Sequence, residues 1–159
     1  NLLFGMINRR QVRETVLQAL YALKLSGDSV QYITDSIIKD ALGTDKELRR
    51  FAEKLFFTTL ENENEFDAVI IKHIKNWEFQ RLALVDRLIL KLSLCEFLYF
   101  DEIPTKVTIN EAIEIAKKFS TAKSGRFVNG ILDASLEDLS NSGKINKKGR
   151  GLIDHSINQ

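Results

Sequence analysis

A single proline, Pro104, stands in the whole sequence, and few glycines precede residue 140. Proline breaks helices and glycine weakens them, so a chain nearly free of both can run in long uninterrupted segments. Those segments carry a helical period. Val12, Val16, Ala19, Leu20 and Leu23 recur at spacings of three and four, and Gly27 closes the run. A shorter segment places Val30, Ile33, Ile37 and Ile38 on one side and ends near Gly43.

Five further helices follow. Thr44 and Glu47 have capping-box spacing ahead of the stripe Leu48, Phe51, Ala52, Leu55 and Thr59. Phe66, Val69, Ile70, His73, Ile74 and Trp77 form the next stripe. The run from Leu84 to Tyr99 is apolar on most sides and is expected at the centre of the fold. Pro104 forces Ile103 out of helical geometry. Thr108 and Glu111 then repeat the capping-box spacing before Ala112, Ile113, Ala116 and Phe119. Phe127, Val128, Ile131, Leu132, Ser135, Leu136 and Leu139 mark the last helix, in which Gly130 suggests close packing against a neighbour. No segment alternates convincingly as a strand would. The expectation is an all-α fold of seven helices with short links.

The five residues NLLFG ahead of Met6 read as an expression remnant, so a single domain is expected over 6–139. The stretch 140–159, rich in Gly, Asn and Lys, is expected to be a flexible basic tail. Composition is that of a soluble globular protein, 44% hydrophobic and 28% charged. No apolar run is long enough to span a bilayer, and no signal peptide is recognisable. One cysteine, Cys95, cannot form an internal disulfide, which agrees with a cytoplasmic setting.

Chemistry is hard to place on this chain. His73 reads as a half-buried packing residue and His155 falls in the tail, with no partner at metal-ligand spacing. Cys95 lies in the most apolar helix, where thiols are inert. No glycine-rich phosphate loop is present, and the carboxylates fall on solvated faces. No catalytic residues, metal or cofactor are expected, and the chain reads as a binding protein rather than an enzyme.

The charge distribution is more informative than its total of +1. Acids gather at Glu61, Glu63, Glu65 and Asp67, and bases at Lys144, Lys147, Lys148 and Arg150. Arg9, Arg10 and Arg13 fall near one edge of the first helix, at the end where the macrodipole disfavours cations. Three guanidiniums and a positive helix end attract an anion such as phosphate. Spacing alone leaves a nucleic-acid face and a solvated basic face equally open.

The stretch IPTKVTINEAIEIAKKFSTAKSGRFVNGILD, from Ile103 to Asp133, resembles the C-terminal signature of NusB-type transcription antitermination factors. RRQVRETVLQALYALKLSG, from Arg9 to Gly27, resembles the arginine-rich first helix of the same family. The resemblance runs from about Met6 to Leu139 and is weakest in the second and third helices. It implies a seven-helix fold of two packed subbundles. It also implies a bacterial factor that binds boxA, a short single-stranded RNA element of ribosomal RNA leaders, together with NusE, a small-subunit ribosomal protein. The pair would join an elongating RNA polymerase in an antitermination complex.

The same resemblance implies RNA contacts for Arg9, Arg10, Arg13, Lys106, Arg126 and Phe127, with Asn129 beside them. Lys123, in the loop before Ser124, stands where relatives often carry an acid and adds phosphate attraction. NusE contacts are implied for Tyr21, Leu25 and Asp86. Gln11 replaces a further arginine, and Gln80 and Arg81 stand near positions that are acidic in some relatives. Phe127 also lies on an apolar stripe, so base contact and core packing both stand. Tyr21 also fits between helices, and Asn110 and Glu111 suit a helix start. Monomer and homodimer are both open. Two other readings are a protein-interaction scaffold without RNA binding, and a module related to the N-terminal part of a ribosomal-RNA cytosine methyltransferase.

Overall fold

The computed structural model describes residues 7–74 and 82–153; Met6, Trp77, Gln80, Arg81 and His155 lie outside the described residues. Among the described residues the regular structure is helical, in seven helices and a 3-10 turn at Gly149–Leu152, and no helix is long and apolar enough to cross a membrane. The chain divides into two compact units between Phe57 and Thr58.

The first unit opens with α1, Arg9–Ser26. Asn8 caps it: its side chain accepts from the Gln11 N–H at 2.9 Å, and the Gln11 side chain accepts from the Asn8 N–H at 2.8 Å. This reciprocal box satisfies two amides the helix leaves unpaired. It also explains Gln11, since an arginine could not accept that bond. Gly27 closes the helix in the left-handed region at φ 71°, which glycine adopts at least cost. α2 is α-helical over Val30–Ile33, π-helical over Thr34–Lys39 and α-helical again over Asp40–Leu42. Its π-helical part and the α-helical turn before it pack on α1. Val12, Val16 and Leu20 of α1 and Ile33, Ile38 and Leu42 of α2 are buried.

α3, Lys46–Glu61, runs through the boundary between the units. Its cap is Asp45, not Thr44: the Asp45 carboxylate accepts from the Leu48 N–H at 3.0 Å. Aspartate caps at least as well as threonine and adds negative charge at the helix's positive end.

The second unit contains α4 (Glu63–His73), α5 (Leu84–Tyr99), α6 (Thr105–Phe119) and α7 (Ala122–Asn141). α5 contacts the other three and every residue from Leu88 to Phe97 is buried, as its nearly all-round apolar sequence implies. Two of its buried charged members, Lys91 and Glu96, have partners. Lys91 Nζ lies 2.8 Å from Glu63 and 3.0 Å from Asp67, and Glu96 accepts from the Thr108 hydroxyl at 2.9 Å. Glu63 and Asp67 of the acidic stretch thus have their partner inside the unit. Tyr99 adds a bond to Glu65 at 2.8 Å, and that bond pushes the phenol up to about 12.

Thr108 and Glu111 form no capping box. α6 starts one turn earlier, with Pro104 as its N-cap residue, because proline's fixed φ and missing N–H cost nothing ahead of a first turn. Asn110 and Glu111 therefore lie inside the helix. Gly130 is exposed, with nothing within 4 Å of where a Cβ would stand, so it marks no close packing. Gly125 does: a Cβ there would meet the Lys117 side chain at 3.2 Å. His73 is half-buried with Nε2 3.4 Å from Asp138. Cys95 is buried.

Candidate nucleic-acid interface

The expected RNA-contacting residues fall into two groups, one in each unit. In the first unit, Arg9 and Arg10 occupy the first two positions of α1, both exposed, in a first turn without an acidic residue. The Arg9 guanidinium lies 4.5 Å from the centre of the Phe51 ring on α3, and Arg13 approaches the same ring at 5.5 Å. Guanidiniums over an aromatic face gain about 0.5–2 kcal/mol each, depending on desolvation. Arg13 departs from the expectation of a solvent-facing contact, since it is only 5% exposed. Its position one turn after Arg9, on the side of α1 that also buries Val12 and Val16, accounts for this. Phe51 was legible only as an apolar stripe residue; no local signal in the sequence links it to the arginines.

In the second unit, α7 begins at Ala122, so Lys123 and Ser124 sit in its first turn rather than in a loop. Thr121 caps the helix by accepting from the Ser124 N–H at 3.0 Å. Ser120 and Ser124 share a hydrogen bond of 2.8 Å between their hydroxyls, and Ser124 donates to Asp86 at 3.1 Å. These residues border a solvent-open cavity of about 190 Å³ lined by Leu82, Ala83, Asp86, Thr121, Lys123, Ser124 and Phe127. Phe127 is half-buried and lines this cavity. Lys106 and Arg126 are exposed on α6 and α7.

Tyr21 and Leu25 are exposed on α1, at 40% and 63%. Asp86 does not share their setting: it is 8% exposed, in the other unit, and lines the cavity with Lys123 and Phe127. Burial pushes its carboxyl up, against weaker opposite pulls from the Ser124 and Ser120 hydroxyls, and one of its oxygens has no hydrogen-bond partner. Ser124 is a cavity residue that sequence reading passed over. It ties the start of α7 to α5, and nothing local distinguishes it from a capping serine.

Fold and site together define an all-helical binding protein with a basic helix end in one unit and a cavity bordered by an ammonium and an aromatic ring in the other. Among the described residues no group of three or more His, Cys, Asp or Glu could hold a metal ion. Residues 10–137 match the NusB family. The transcription antitermination protein NusB of Salinibacter ruber is 45% identical over 148 residues, covering 93% of this chain and 92% of its own. The solved structure of T. maritima NusB aligns with a TM-score of 0.76 and 35% identity, covering 83% of this chain and 92% of that one. A crystal structure of the antitermination factors NusB and NusE in complex with dsRNA aligns at 0.74 and 26% identity, covering 82% and 96%. The chain belongs to the NusB family of transcription antitermination proteins. That family is not one of enzymes, in line with the sequence reading.

Proposed function

We propose that this protein binds boxA-type single-stranded RNA jointly with NusE and carries that RNA into an antitermination complex with RNA polymerase. The observation that supports this most is the cavity at the start of α7, where an ammonium, an aromatic ring and polar groups border one opening. Single strands are held by this combination: cations take the backbone, and a ring stacks on an unpaired base for roughly 1–3 kcal/mol. In this reading Lys123 takes phosphate and Phe127 meets a base, with Lys106 and Arg126 adding charge. Arg9 and Arg10 take phosphate at the α1 end. Arg13 is a positioning residue, holding Phe51 and through it Arg9. Asp86 supports the cavity through Ser124 instead of meeting NusE directly, and Tyr21 and Leu25 offer the protein contact. RNA touching both proteins makes their binding cooperative, because each raises the local concentration of the other.

Fluorescence anisotropy with a boxA-type RNA and a scrambled control, with and without NusE, tests this. The expected result is preference for boxA, strengthened by NusE, with Arg10→Ala weaker in both conditions at unchanged helix content. Binding of NusE with no RNA affinity in either condition would replace this reading with the scaffold one.

A further inference from the structure

The end of α7 leads into a segment that lies against the fold, where the composition predicts a free tail. The Lys144 N–H donates to the Leu139 carbonyl at 2.9 Å, closing the helix. Lys147 then turns inward and is 8% exposed. Its ammonium donates to the carbonyls of Glu96 at 2.9 Å and Phe100 at 2.7 Å. These carbonyls end α5, where a helix leaves acceptors unpaired and its dipole favours a cation. The Lys148 N–H donates to the Asp101 carbonyl at 2.9 Å. Gly151 passes so close to that carbonyl that a Cβ would fall 2.0 Å from its oxygen.

Residues 147–151 thus form a strap whose first and last members are anchors. Lys147 cannot serve a partner, because its ammonium is already buried against the fold. Lys148 and Arg150, between the anchors, are exposed. The turn beneath them runs from Asp101 to Pro104 and opens α6, whose first turn carries exposed Lys106. Asp101 and Glu102 are exposed on the same turn. Alone, those two carboxylates outnumber Lys106. With Lys148 and Arg150 carried on the strap over this turn, the three cations outnumber the two carboxylates.

We propose that the strap is a second surface for RNA backbone, with Lys148 and Arg150 taking phosphates of the strand that passes Lys106. This rests on the RNA reading above and extends it past residues 10–137, the part that matches the family. The test is a salt titration of the full chain against a boxA-type RNA, comparing wild type, the double variant Lys148→Ala/Arg150→Ala, and Arg9→Ala/Arg10→Ala. The strap variant should bind several-fold more weakly, and the slope of log affinity against log salt should fall by about 1.4, two single-strand phosphates' worth. Its urea midpoint should match wild type, since both side chains are exposed. An unchanged slope in the strap variant, alongside a loss in the α1 variant, would overturn this proposal and leave the RNA reading standing. Absence of RNA binding by wild type would overturn both. Loss of NusE affinity with RNA affinity intact would assign the strap to protein and also overturn it.

Discussion

Arg9 and Arg13 would repel one another at one turn's separation, yet the Phe51 ring gives both a shared site. The ring orders Arg9 before any ligand arrives, so less side-chain entropy is lost on binding. Asp86 is the opposite case, a single carboxylate kept at some cost. Its folded pKa lies above the ordinary 3.8, with burial as the leading cause. The proton therefore binds the folded state more tightly than the unfolded one. The cost is absent below the unfolded pKa, grows as pH rises through the folded pKa, and is complete at neutral pH. Asp86→Asn keeps an acceptor for Ser124 and removes the charge, so it should raise the urea midpoint at about pH 7. The gain should shrink towards zero at about pH 3. An equal midpoint for wild type and variant at pH 7 would count against a destabilised carboxylate.

Helices were largely legible in the sequence because their signal is local: the stripes of α1, α5 and α7 follow from spacing alone. Their starts were less so. Asp45 caps one residue after Thr44, and α6 begins a turn before Thr108, since several polar residues near a helix end satisfy the same rule. Thr108 is drawn away to Glu96, a buried contact from a different helix. Lys91 was equally opaque, because its acids lie 28 residues away or nearly so, and only the packing of α4 on α5 joins them. Lys91→Met should destabilise by about 2–3 kcal/mol, below the 3–5 of a fully buried pair because Glu63 and Asp67 keep partial contact with water. Urea unfolding at neutral pH measures this. Adding Glu63→Gln and Asp67→Asn should recover much of the loss, since no buried carboxylates would be left unpaired.

Across the whole molecule, residue spacing could pick out the basic cluster on α1 but could not say which side chains share a site. The family resemblance supplied the names; the fold groups Asp86 with Lys123 and Phe127 at one cavity of the second unit, and leaves Tyr21 and Leu25 exposed on α1 of the first. This division yields a prediction for the two partners. Tyr21→Ala with Leu25→Ala should weaken NusE binding at least tenfold, as truncation of buried interface anchors does, about 1.4 kcal/mol or more. Asp86→Asn should leave NusE affinity within twofold of wild type. Isothermal titration with NusE alone reads both, and a tenfold loss in Asp86→Asn would return that residue to the protein interface.

Cys95, the sole cysteine, is fully buried in α5. A thiol so enclosed reacts slowly with maleimides, so dyes can be attached elsewhere without first replacing it. Ala122→Cys at the start of α7 and Gln18→Cys on α1, both exposed and assigned no contact, would each offer one accessible attachment point. Two singly labelled proteins could then follow the arrival of RNA and of NusE as separate optical signals, in the order in which the complex forms.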